Sequence, residues 1–93
     1  MVLHTLNQAP ANSACLESAL KAVASDDTLL LIEDGVYWTL PAFEAQLASL
    51  RGRLLVLEAD AKARGIKTEA VESVDDAGFV ALCVSHDKVV SWF

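Results

Sequence analysis

The apolar residues of the chain fall into short unbroken runs separated by segments in which they recur at helical spacing. The clearest run, within residues 28–32, has four bulky apolar side chains and leads directly into the turn-forming residues 33–35. Such a run is typical of a strand that is buried on both faces, as in a parallel sheet. Residues 54–57 have the same character. We also expect a first strand over residues 1–6 and a last one over Lys88–Trp92.

The segments between these strands predict helices. The first covers residues 13–24, where apolar residues recur every three or four positions. A second begins at Pro41, a residue that suits the first turn of a helix, and runs to about residue 50. The remaining elements are a short helix, a short and poorly patterned strand, and a last helix, over residues 61–64, 66–71 and 77–84.

Residues that favour capping lie at the expected helix ends. We interpret Gly52 as a left-handed cap that ends the second helix. Asp60 is expected to cap the third helix and Gly65 to close it. Asp75 and Asp76 are expected to start the last helix, where a carboxylate is favourable for the helix dipole.

The resulting order of elements alternates strands and helices along the whole chain. Alternation of this kind predicts an α/β fold, a three-layer sandwich with a mainly parallel five-stranded sheet and right-handed crossovers. At 93 residues the chain is expected to form a single domain, residues 1–93. The order of the strands within the sheet stays open at this point.

Composition adds constraints on partners. Hydrophobic residues make up 54% of a chain too short to bury them all, so we expect association with itself or with other chains. The last helix is apolar over a wider arc than a helix with one buried face requires, which supports the expectation of association. The net charge is -6 and the basic residues are scattered, so no binding of nucleic acid or of a membrane is expected. With no signal-type segment, we expect a cytoplasmic protein.

The two cysteines, Cys15 and Cys83, lack metal-binding spacing and are expected to be free thiols. Cys15 is the first candidate for thiol chemistry, because it lies in the first turn of a helix, where the helix N-terminus lowers a thiol pKa. The alternative, which we favour, is a half-buried small residue. Cys83 is the weaker candidate. His86 follows it at i+3 and the two could touch, but an apolar setting opposes the charged forms of such a pair.

Candidate binding residues cluster after the second strand. Asp34 and Gly35 lie at its carboxyl end, where α/β folds place ligands and partners, and Tyr37 and Trp38 follow as aromatics of the type enriched at interfaces. The aromatics could equally cover the core beneath the loop. His4, inside the first strand, completes the set, with a structural role favoured over a catalytic one. Phosphate-binding motifs and a nucleophile elbow are absent, so we expect no cofactor, no metal and no self-contained active site.

Four stretches of the chain form a recognisable set. They are Leu-His-Thr-Leu-Asn-Gln at residues 3–8 with Pro10, the strand and turn at residues 29–37, Asp-x-x-Ala-Arg-Gly at residues 60–65, and Gly-Phe-Val-x-Leu at residues 78–82 with His86. Together they resemble the DsrH/TusB family over essentially the whole chain. The Leu-His-Thr opening combined with the Asp-Gly-Val-Tyr turn is the most specific part of this resemblance.

The resemblance implies a DsrE-like fold and membership of a heterohexameric sulfur-transfer complex, with two copies each of three related chains. The partners would be TusC/DsrF-like and TusD/DsrE-like subunits, with a homo-oligomer possible for the isolated chain. In one branch the complex passes persulfide sulfur towards 2-thiolation of the wobble uridine of tRNA, and in the other it serves dissimilatory sulfur oxidation. In both, the sulfur-carrying cysteine belongs to the TusD/DsrE-like subunit, so this chain is expected to be non-catalytic.

One departure from the family pattern helps to distinguish between the two branches of the family. DsrH chains of sulfur oxidisers carry a cysteine in the segment that resembles residues 16–20, and the matching position here is Ala19. Cys15 lies one turn earlier on the same side of the helix. It is near that position but does not occupy it, so the role of the family's cysteine cannot be assigned to it directly. The leading hypothesis is therefore a TusB-like subunit that supports tRNA thiolation. The alternatives are a DsrH-like subunit in sulfur oxidation and a thiol sulfur carrier that uses Cys15.

Overall fold

The chain builds one sheet of five parallel strands, and the computed structural model describes all residues from Met1 to Phe93. The strands are β1 (Val2–Leu6), β2 (Thr28–Leu31), β3 (Arg53–Leu57), β4 (Ser73–Val74) and β5 (Lys88–Trp92). Their order in the sheet is β4-β3-β2-β1-β5, and every neighbouring pair is parallel. The predicted α/β class is confirmed, and the central position belongs to β2.

Helices cover both faces of this sheet. They are α1 (Ser13–Ala22), α2 (Glu44–Leu47), α3 (Glu58–Ala63) and α4 (Asp76–Ser85), with 3₁₀ helices at Pro10–Asn12, Glu33–Thr39 and Pro41–Phe43. None of them combines the length and the apolar character that a membrane crossing requires.

The two faces of the sheet bury separate cores. On the first face, α1, α3 and the 3₁₀ helix Glu33–Thr39 pack over Leu29 and Leu31 of the central strand. On the second face, α4 packs over Leu30 with a smaller group of residues. All three leucines are fully buried, since side chains alternate between the faces of a strand and both faces of β2 are covered.

The second helix is much shorter than predicted, and the role expected for Gly52 is wrong. A 3₁₀ turn at Pro41–Phe43 precedes the four residues of α2, which begins without a side-chain cap. Gly52 does not have a positive φ. A Cβ at Gly52 would lie 2.5 Å from the carbonyl oxygen of Asp27, so glycine is required there by a close approach of two backbones.

Two helix ends follow the prediction. Gly65 closes α3 with a φ of 67°: its N–H donates to the Lys62 carbonyl at 3.1 Å and the Ile66 N–H donates to the Ala61 carbonyl at 2.9 Å. The strand expected within residues 66–71 is wrong: the short strand of this region is β4, at Ser73–Val74, and Ile66 is instead buried in the core of the first face. At the other helix, the carboxylate of Asp75 caps α4.

Candidate functional site

A polar corner forms where β2 and β3 end at the carboxyl edge of the sheet. The corner consists of residues 33–37, which follow β2, together with Asp60 and Arg64 at α3. Arg64 Nε donates to Asp34 Oδ1 at 2.9 Å, and its Nη1 donates to the Asp60 carbonyl at 3.2 Å. The hydrogen bond to Asp34 is the main reason why the pKa of Arg64 is raised. The charge of Asp34 is thus partly balanced within the chain, while its side chain stays exposed.

Glu33 begins the corner in a strained conformation. Its φ is 49°, the single positive φ of a non-glycine residue, which costs about 1 kcal/mol. The carboxylate of Asp60 accepts the backbone N–H of Glu33 at 2.6 Å and helps to hold this conformation. Asp60 therefore does not cap α3 as predicted: it lies inside the helix, which begins at Glu58, and ties α3 to the end of β2.

Gly35 is the point at which the corner touches β1. A Cβ at Gly35 would lie 2.1 Å from the carbonyl oxygen of Leu6, which already accepts the N–H of Ile32 at 3.0 Å. Glycine is needed here for the close backbone approach, at an ordinary φ. Gly35 is buried, so it shapes the corner rather than offering surface to a partner.

The two adjacent aromatics have different environments. Trp38 is 1% exposed, donates from Nε1 to the Gln8 carbonyl at 2.9 Å, and packs edge-on against Phe43 with ring centroids 5.4 Å apart. For Trp38 the second interpretation holds, since it belongs to the core beneath the loop. Tyr37 is half-buried at the margin of the same core. Asp34 and Tyr37 are therefore the candidate residues whose side chains reach the surface.

His4 lies away from the corner, in a buried network that faces the start of β2. Trp92 Nε1 donates to His4 Nδ1 at 3.1 Å, and His4 Nε2 donates to Asp27 Oδ2 at 3.0 Å. Asp27 also accepts the backbone N–H groups of Ala24 and Val2 at 2.9 Å each. These hydrogen bonds, Ala24 first, lower the pKa of Asp27 to about 2. With 3% exposure and both ring nitrogens occupied, His4 has a structural role.

Cys15 is half-buried against the first-face core, and the expected lowering of its pKa is wrong. Burial raises the pKa of the Cys15 thiol, because desolvation penalises the thiolate. A half-buried small residue was the favoured alternative, and the position of Cys15 agrees with it.

Cys83 is exposed on α4 and has no activating base. His86 points inwards: its Nδ1 donates to the Leu82 carbonyl at 2.8 Å, and its Nε2 accepts from the Thr28 hydroxyl at 2.9 Å. Both nitrogens are occupied in the buried interior, so a Cys83–His86 pair does not form. No group of three or more His, Cys, Asp or Glu side chains is arranged to hold a metal ion.

The sequence interpretation missed the contributions of Asp60 and Arg64 to the corner. Arg64 is part of the Asp-x-x-Ala-Arg-Gly motif, which was a usable signal, although its partner Asp34 is 30 positions away in the chain. A groove of about 390 Å³ between Trp38 and Val71 was also missed. Its lining is mostly apolar and its one titratable side chain is Glu44, so it offers no acid–base pair.

Known proteins resemble this chain over nearly its full length. A family model described as DsrH like protein matches residues 8–89. Protein TusB of Enterobacter sp. (strain 638) is 32% identical over 96 residues, covering 98% of this chain and 100% of that protein. Protein TusB of Pectobacterium parmentieri is 34% identical over 97 residues, again covering 98% of this chain and 100% of that protein.

Two solved structures have the same fold. The crystal structure of the ychN protein from E. coli has a TM-score of 0.71 at 23% identity, covering 98% of this chain and 97% of that one. The solution structure of Tm0979 from Thermotoga maritima has a TM-score of 0.69 at 21% identity, covering 90% and 92%. At these identities the likeness concerns the fold alone. On the strength of the family model and the TusB relatives, the chain belongs to the DsrH/TusB family.

Proposed function

We propose that this chain is a non-catalytic subunit of a cytoplasmic sulfur relay complex of the TusB type. The observation that carries the proposal is the full-length relation to proteins named TusB in a chain whose thiols lack activation. Burial raises the pKa of Cys15, and Cys83 has no base beside it. The sulfur-carrying cysteine would then belong to a partner, and this chain would supply a scaffold.

The corner supports a docking role better than a catalytic one. Asp34 and Arg64 pair with each other, and the carboxylate of Asp60 accepts the backbone N–H of Glu33, so these three side chains are held in place. Asp34 and Tyr37 reach the surface there, while Gly35 and Asp60 hold the backbone that presents them. A rigid surface of this kind lowers the entropic cost of association. The partners we propose are TusC/DsrF-like and TusD/DsrE-like chains in a heterohexamer.

The environment of Ala19 favours the tRNA-thiolation branch over the sulfur-oxidation branch. Ala19 stands where sulfur-oxidiser chains carry a cysteine, and it is fully buried in α1. Its methyl group packs in the interior and offers no chemistry. We therefore propose that the complex supports 2-thiolation of the tRNA wobble uridine, with this chain making no direct contact with nucleic acid.

Co-expression with TusC-like and TusD-like chains tests the proposal. The expected result is co-purification of all three chains as one assembly. Cys15→Ala and Cys83→Ala variants are expected to assemble normally and to leave sulfur transfer intact. A chain that co-purifies with neither partner would overturn the proposal. Persulfide on Cys15 after incubation with a loaded donor, detected by mass spectrometry and abolished in Cys15→Ala, would instead support the thiol-carrier alternative.

A further inference from the structure

The two histidines of the chain are both buried against the start of the central strand. His4 bonds to Asp27 and His86 bonds to Thr28, the next residue, and the two histidines are 3% and 7% exposed. Neither takes part in the corner. Histidine is the side chain whose charge ordinarily changes between about pH 5 and 8, so the effect of a second proton at each site follows from its hydrogen-bond partners.

His86 has partners that accommodate a second proton. Its Nδ1 already donates to the Leu82 carbonyl at 2.8 Å, and its Nε2 bonds to the hydroxyl of Thr28 at 2.9 Å. A hydroxyl group can donate or accept, so the Thr28 hydroxyl can turn and accept from a protonated Nε2. Protonation of His86 therefore leaves both of these hydrogen bonds in place.

His4, in contrast, has one partner that cannot accommodate a second proton. Nε1 of Trp92 donates to Nδ1 of His4 at 3.1 Å, and an indole N–H can only donate. A second proton goes to Nδ1 and places two N–H groups against each other across this contact. The hydrogen bond from Nε2 to Asp27, at 3.0 Å, has the opposite response, since an imidazolium attracts the carboxylate. Proton uptake by His4 therefore retains Asp27 and repels Trp92.

Asp27 is the only charged side chain that bonds to His4. The other titratable groups of the surrounding elements are exposed, occupied elsewhere or neutral, so none of them replaces Trp92 at Nδ1. They are the Met1 ammonium, paired with Asp26 and Asp87, the half-buried thiol of Cys15, the exposed side chains of Glu17, Lys21 and Lys88, and His86 on the second face of the sheet.

Trp92 lies at a place where its side chain can move without disturbing the sheet. It is the last residue of β5, an edge strand that pairs with β1 alone. Its backbone carbonyl accepts the N–H of Asn7 at 3.5 Å, a long hydrogen bond. Trp92 is half-buried, and Phe93, which follows it, is 82% exposed. The bond to His4 is therefore the one polar contact that holds the indole against the first face.

We propose that His4 and Trp92 form a pH-sensitive latch on the end of β5. At neutral pH, Nδ1 of His4 accepts the indole N–H and the latch is closed. In mild acid His4 takes a proton from the solvent, the indole N–H loses its acceptor, and the ring turns outwards to join Phe93 at the surface. The latch thus exposes aromatic surface at one edge of the sheet in acid and withdraws it at neutral pH. It belongs to the isolated chain and goes beyond the proposed function.

Nuclear magnetic resonance of the full chain labelled with nitrogen-15 tests the latch from about pH 8 to about pH 5.5. The ring nitrogen shifts of His4 report protonation at Nδ1, and the exchange of the Trp92 indole N–H with water reports opening. The indole N–H of Trp38, bonded to the Gln8 carbonyl at 2.9 Å, is the internal reference for the effect of pH on exchange itself. The ratio of the Trp92 rate to the Trp38 rate is expected to rise about tenfold, with the midpoint of His4 protonation.

Two variants complete the test. Trp92→Phe removes the donor, so a second proton on His4 no longer meets an N–H group. His4 is expected to take up its proton at a pH about half a unit higher in this variant than in the unmodified chain. Phe93→Leu is the matched control, because it changes the neighbouring exposed aromatic side chain and leaves the hydrogen bond to His4 intact. The same midpoint as in the unmodified chain is expected for it.

The outcomes separate the latch from the proposed function. An exchange ratio that stays constant while Nδ1 of His4 becomes protonated would overturn the latch. A His4 that stays singly protonated over the whole range would also overturn it, as would equal midpoints in Trp92→Phe and the unmodified chain. Failure to assemble with TusC-like and TusD-like chains would overturn the proposed function and leave the latch standing.

Discussion

Trp92 Nε1 donates a hydrogen bond to Nδ1 of His4 at 3.1 Å, and this contact fixes the protonation of the histidine. An indole N–H can only donate, so Nδ1 of His4 must be unprotonated and Nε2 must carry the proton. Nε2 therefore donates to the carboxylate of Asp27. One chain of hydrogen bonds thus links the last strand, the first strand and the loop before β2.

Replacing Trp92 by phenylalanine tests this link. The Trp92→Phe variant keeps an aromatic ring but leaves Nδ1 of the buried His4 without a donor, so a loss of about 1 kcal/mol in the free energy of unfolding is expected. Urea denaturation measures it. Phe93→Leu, at an exposed neighbouring position, is the control and is expected to have little effect. Equal stability of Trp92→Phe and the unmodified chain would contradict the assigned tautomer.

The lowered pKa of Asp27 predicts how the free energy of unfolding depends on pH. Its pKa falls from the ordinary value of 3.8 to about 2 on folding, chiefly through the Ala24 N–H and then through His4 and Val2. Because the folded pKa is the lower one, this stabilisation is complete above about pH 4 and is lost as the pH falls towards 2. It amounts to about 2 kcal/mol.

The Asp27→Asn variant isolates this contribution. At neutral pH it is expected to be less stable than the unmodified chain, and urea denaturation from pH 6 to pH 2 should show the difference narrowing by about 2 kcal/mol. Asp26→Asn is the matched control: its side chain is 68% exposed, and the same narrowing is not expected. A difference that stays constant across this range would contradict the role assigned to Asp27.

Two glycines with different constraints give a paired prediction. Gly35→Ala places a methyl group 2.1 Å from the backbone oxygen of Leu6, which cannot move without disturbing β1, so a loss of about 3 kcal/mol is expected. Gly65→Ala meets no atom within 4 Å and suffers only from its positive φ, so about 1 kcal/mol is expected. Thermal or urea unfolding ranks the two. The reverse ranking would contradict the close approach at Gly35.

The sequence was informative wherever the environment of a residue depends on its near neighbours. The apolar run of β2 and the helix-closing Gly65 are local features, and both form as predicted. Gly52, by contrast, is required by the backbone of Asp27, and Gly35 by the backbone of Leu6. Such approaches between distant segments leave no periodic pattern in the sequence, so a glycine alone suggests only a turn or a cap.

The candidate site was predictable to a smaller extent, for the same reason. The loop after β2 was located correctly because the carboxyl ends of parallel strands are readable from the order of elements. The separation of Tyr37 at the surface from Trp38 in the core was not, since it depends on the Gln8 carbonyl that Trp38 reaches. The pKa of Cys15 was predicted in the wrong direction, because burial against distant residues outweighs its position in the helix.

The corner itself gives the last prediction. If Asp34 and Tyr37 present a docking surface, Asp34→Lys should weaken assembly with the TusC-like and TusD-like chains at least tenfold, because it reverses a charge at the centre of the contact and places a second cation beside Arg64. Glu17→Lys, the same reversal on the exposed side of α1, is the control. Assembly is measured by titration of the purified partners, with thermal unfolding as the check on folding. Normal assembly of a well-folded Asp34→Lys chain would remove the corner from the interface.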